Sequence, residues 1–94
     1  METHCGRVTE DERDEIKQLF QRKTALGELF QAMARMDPKT MENVYERALS
    51  DMGATATRFQ EWWALKAQHY GWESIEGANW RIDFNTCEVF LVHP

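Results

Sequence analysis

Apolar residues recur at three- and four-residue steps from Ile16 through Leu19, Phe20, Leu26, Leu29, Phe30 and Met33. That spacing lines one face of a helix and leaves the other to water. Thr9 and Glu12 stand at capping-box spacing, and acidic residues crowd the first turns, where they complement the helix dipole. A first helix is expected over 9–36. Pro38 cannot continue it, so Asp37 is read as the cap of a second helix with Pro38 as its first residue.

The second helix is expected over 38–70, with Met41, Val44, Tyr45, Ala48, Leu49 and Met52 on one face and Gly71 as its stop. Gly53 can kink this helix or end it. Continuation is favoured because Ala54, Ala56, Phe59, Trp63 and Lys66 keep the spacing and no proline intervenes. The short connection at MDPKT makes the two helices antiparallel neighbours.

Beyond Gly71 the period changes to two. Trp80, Ile82 and Phe84 alternate with Arg81 and Asp83, and Cys87, Val89 and Leu91 alternate with Glu88 and Phe90. A β-hairpin over 79–92 follows, with a two-residue turn at Asn85-Thr86 that sets Phe84 opposite Cys87, Ile82 opposite Val89 and Trp80 opposite Leu91, or with a longer loop, since Asn-Thr is a weaker turn pair than Asn-Gly. An isolated hairpin is barely stable in water, so its apolar face needs a support. Phe59, Trp63 and Tyr70 supply it. The fold class is therefore α+β, mostly α: an antiparallel helical hairpin with a C-terminal β-hairpin packed on the second helix. The 94 residues fit one domain, and residues 1–8 are expected to be a flexible tail.

Composition narrows the chemistry. A formal charge of −5 leaves no basic stripe for phosphates, so neither nucleic acid nor a membrane surface is expected as partner. No apolar run is long enough to span a bilayer, no secretory signal is visible at the start, and a cytoplasmic setting is expected. Cys5 and Cys87 are read as free thiols. His4, Cys5, His69, Cys87 and His93 lack metal-site spacing, and the scattered glycines form no phosphate loop. No metal and no cofactor are expected. A Cys87–His69 pair is the only nucleophile–base combination worth naming, and so small a domain offers it little depth. The expectation is a protein that is not an enzyme.

Binding remains. A hairpin with two free edges can accept an extended peptide as an added strand. Trp62 and Trp72 are the aromatics that the core absorbs least easily, because adjacent Trp62 and Trp63 diverge by about 100° around a helix and Trp72 lies past its end. Trp62, Trp72, Arg81, Phe90 and Val92 are the candidate partner-binding residues. Residues 72–78 or a second copy of the chain, as a homodimer, are the alternative covers for the edge.

Two stretches, RVTEDERDEIKQLFQRKTALGELF and FQEWWALKAQHYGWESIEGANWRIDFNTCEVFLV, resemble the small accessory proteins of bacterial CXXX-repeat peptide modification systems, which accompany radical-SAM maturases. The resemblance implies a non-catalytic adaptor that binds a precursor peptide or its modifying enzyme, and it carries over no active-site residues. With two distant cysteines the chain is not itself a cysteine-repeat substrate. The other expectation is a small acidic regulator or inhibitor that masks a basic surface of a partner protein.

Overall fold

The computed structural model describes all residues, 1–94. The order is β1 (Glu2–Arg7), α1 (Glu10–Met33), α2 (Pro38–Tyr70), β2 (Asn79–Ile82) and β3 (Glu88–Val92). The architecture is α+β and mostly α, as the periodicities indicate. Both halves of the capping box form at Thr9 and Glu12. Asp37 caps α2 by accepting from the Thr40 N–H, and Gly71 ends that helix in the left-handed region at φ 71°. Helix α2 runs through Gly53 unbroken. The first helix is shorter than expected: it stops at Met33, and Ala34–Met36 make a turn before Asp37.

The first residues require a correction. They form β1, which pairs antiparallel with β3, so the sheet has the order β1-β3-β2. Thr3 lies opposite Leu91 and Glu2 opposite Val92, with a bulge between His4 and Gly6. The Val8 N–H donates to the Cys87 carbonyl (3.0 Å) and His93 N–H to that of Met1 (2.9 Å), so the pairing is tied at both ends. Unsatisfied backbone groups along β3 favour this pairing, whatever the polarity of the side chains on β1.

The hairpin register is the expected one, with Trp80 opposite Leu91 and Ile82 opposite Val89. Its turn is longer than two residues. Asp83 N–H donates to the Glu88 carbonyl and Cys87 N–H to that of Asp83, both at 2.8 Å, which encloses the four residues 84–87. The Asp83 carboxylate accepts from the Asn85 N–H, and Cys87 takes φ 64° to bring the chain back. Asn-Thr lacks the glycine that a tight two-residue turn needs, so the side chain of Asp83 organises a wider one.

The sheet covers only one end of the helical hairpin. Val8, Ile16, Trp62, Trp63, Cys87 and Val89 form the main core there. Beyond it Leu26, Met33, Ala48 and Thr55 are buried between the helices. No helix is long and apolar enough to cross a membrane.

Candidate peptide-docking edge and aromatic groove

Alternation along an antiparallel strand sends the backbone groups of successive residues to opposite sides. Because Asp83 bonds toward β3, Arg81 and Asn79 do the same, and the N–H and C=O of Trp80 and Ile82 point away. No strand lies beyond β2 to receive them. The opposite edge of the sheet differs: β1 is bulged and has Trp72 beside Gly6. Bulges blunt an edge against further pairing. The free, regular edge is that of β2.

An aromatic groove adjoins this edge. A cavity of about 260 Å³ is lined by Ile16, Phe20, Phe59, Trp63, Trp80, Arg81, Ile82 and Phe84. A second, of about 390 Å³, shares Phe59, Trp63 and Trp80 with it and adds Lys23, Gln60, Ala64 and Asn79. Trp63 and Trp80 stack with their planes 10° apart and their centroids at 6.2 Å, while Phe59 meets Trp63 nearly edge-on. Lys23 Nζ lies 4.7 Å over the Phe59 ring, a cation–π contact at the groove wall. On the other wall Phe20 is 45% exposed and tilts against Phe84. The indole N–H groups of Trp62 and Trp80 are both buried without an acceptor, an unmet demand that costs about 1–3 kcal/mol each.

The five residues singled out from sequence do not form one surface. Trp62 is 6% exposed and belongs to the core. The reason is layering: the proximal part of α2 lies against both α1 and the sheet, and the 100° between Trp62 and Trp63 lets each indole be enclosed on a different side. Trp72 stacks on Tyr70 at 5.3 Å and faces β1. Arg81, Phe90 and Val92 do share the outer face of the sheet. There Arg81 pairs with Glu2 (2.7 Å) and lies over Phe90 (4.6 Å), while His4 meets Phe90 edge-on and Glu88 through its imidazole (3.0 Å). The hydrogen bond from Arg81 holds the Glu2 carboxyl below its usual range. Phe90 is thus clamped by intramolecular partners.

Tyr70 also departs from expectation. Its ring stacks on Trp72 near β1 and stays outside the main core, and its hydroxyl donates to Glu12 across the N-terminus of α1. Burial pushes the Glu12 carboxyl up, but hydrogen bonds from Lys66, the Thr9 backbone, Tyr70 and the Thr9 hydroxyl outweigh it and bring it down to about 2. The same bond to Glu12, with burial added, raises Tyr70 to about 12. This cluster ties the start of α1 to the end of α2. It also consumes the central carboxylate of the acidic run.

Cys87 is enclosed in the main core, whereas His69 is exposed at the end of α2 with its ring against Tyr70. Burial raises the Cys5 thiol. No group of three His, Cys, Asp or Glu side chains is placed to hold a metal ion. Residues 72–78 pass from Trp72 beside β1 to Gly77 beside Pro94, at the end of β3. Sequence reasoning passed over Phe20, Phe59 and Trp80 as site residues because each fits the core pattern, and Lys23 because nothing along the chain sets it apart from other surface lysines; what exposes them is the gap between α1 and β2. No family model matches the chain, and neither does any curated protein or solved structure.

Proposed function

We propose that the chain is a non-catalytic binding protein that captures an extended peptide along β2. The observation that carries this reading is the unpaired backbone of Trp80 and Ile82 beside the groove floored by Trp63 and Trp80. A peptide adding there as a fourth strand gains main-chain hydrogen bonds from the edge and places an apolar side chain in the cavity. In the setting implied by the resemblance, the peptide is a cysteine-repeat precursor or a segment of its maturing enzyme, and the chain is a bacterial, cytoplasmic helper.

The role of β1 supports the chemistry of such capture. It performs on one side of β3 the strand addition that the reading requires on the free side of β2. The alternative, masking of a basic surface by the acidic run, is weakened by the internal engagement of Glu12 and by the pairing of Asp14 with Arg13 at 2.8 Å.

Titration with a Cys-x-x-x-repeat peptide, followed by amide shifts and Trp fluorescence, tests the proposal. Amides of 79–82 should shift, and binding should persist at high salt because strand addition rests little on charge. A peptide N-methylated at alternate residues should bind at least about tenfold more weakly. Unchanged spectra with the parent peptide, or equal binding of the methylated one, overturns strand addition.

A further inference from the structure

The face of the helical layer that carries the sheet continues past it. On α2, Tyr45, Leu49, Met52, Ala56, Phe59 and Trp63 follow one another at steps of four and three, the seam spacing of helical bundles. The sheet and groove occupy this seam from Phe59 onward. Before Phe59 the cover is incomplete: Met52 and Ala56 are half-buried, while Tyr45 is 45% exposed and Leu49 51% exposed. Phe30 of α1 meets Tyr45 edge-on at 6.2 Å and extends the strip across both helices.

The surface area says how much cover is missing. A compact monomer of this mass, 11.1 kDa, exposes about 5,700 Å². The chain exposes 6831 Å². The excess of about 1,100 Å² exceeds the roughly 800 Å² that each partner contributes to a stable interface. The radius of gyration agrees, at 16.1 Å against about 12 Å for a compact chain of this length.

We infer that this bare strip is a homodimer interface, on which a second copy of the chain lays the same strip to close an antiparallel four-helix bundle. Two copies complete the core that a two-helix layer leaves open on one side. The sheets dictate the arrangement: they stand on the same face as the strip, so they clash unless the two-fold axis places them at opposite ends. With that axis at Leu49, each Leu49 meets its counterpart, and each Tyr45 comes level with Gly53 of the other copy. Gly53 is helical, and a Cβ there would meet nothing within 4 Å of its own chain. Nothing inside the protomer calls for a glycine at that point; a tyrosine ring arriving from outside does.

Sedimentation equilibrium from about 10 µM to about 1 mM tests the dimer. The wild-type chain should reach twice 11.1 kDa. Leu49→Glu sets two carboxylates against each other and should raise the dissociation constant about 30-fold or more, with the helical circular dichroism unchanged. A wild-type chain that stays monomeric at the highest concentration, or a folded Leu49→Glu that dimerises like wild type, overturns the inference. Should Leu49→Glu fail to fold, Gly53→Leu decides: a folded monomer supports the interface, and a folded dimer of unchanged affinity refutes it. Peptide capture at β2 uses other residues, so it should survive in either variant.

Discussion

The two ends of the helical hairpin are built from similar sequence and end in different states. At the proximal end the apolar face of α2 lies under a three-stranded sheet, and both Trp62 and Trp63 are buried. At the distal end the same face, with the same spacing, leaves Tyr45 and Leu49 about half exposed. An amphipathic pattern states that a face wants cover; it does not state what supplies the cover. Here one stretch finds it within the chain, and the other has only solvent or a second molecule.

The largest test of this contrast is truncation on each side. Trp63→Ala removes an indole stacked on Trp80 and packed against Trp62, and should cost about 3–5 kcal/mol in urea-induced unfolding. Leu49→Ala, on the bare strip, should cost under about 1 kcal/mol when measured at low micromolar concentration. Comparable losses would erase the distinction between the two ends.

Next comes the Glu12 cluster, present only at the proximal end. Glu12→Gln leaves Lys66 and Tyr70 without their anionic partner and should cost about 1–3 kcal/mol at neutral pH. The pH window follows from the shifts. Glu12 falls from 4.5 to about 2 on folding, so its contribution is complete above pH 4.5 and disappears as the pH drops toward 2. Tyr70 rises from 10 to about 12, so the hydroxyl's contribution is complete below pH 10 and is lost as the pH climbs toward 12. Thermal melts of Glu12→Gln against wild type should therefore converge at the acid end. A constant difference down to pH 2 would remove Glu12 from that role.

The smallest effect has the opposite sign. Gly53→Ala places a methyl group in open space on a helical backbone and should stabilise the dilute chain by about 0.5–1 kcal/mol in a thermal melt. A loss of stability at low concentration would mean that α2 needs the glycine for itself.

Much of the architecture was legible along the chain. The capping box, the Asp37–Pro38 start, the Gly71 stop and the pairing of Trp80 with Leu91 are local signals, each set by residues within a few positions or by strict alternation. Strand β1 was not legible, because its residues are mostly polar and its existence depends on an edge of β3 that lies some ninety positions away. The candidate site was only partly legible. Trp80 and Phe59 read as core from their spacing, yet they line a groove; Trp62 reads as spare, yet it is enclosed.

The sequence by itself determined where the helices begin, where α2 ends, which faces are apolar, and the register of the hairpin, because these depend on short-range periodicity and on capping chemistry. Only the tertiary structure decided which apolar face is sheltered, which strand edge stays open, and which tryptophans are enclosed. Those outcomes depend on where distant segments come to rest, and burial is a property of the neighbours a side chain acquires.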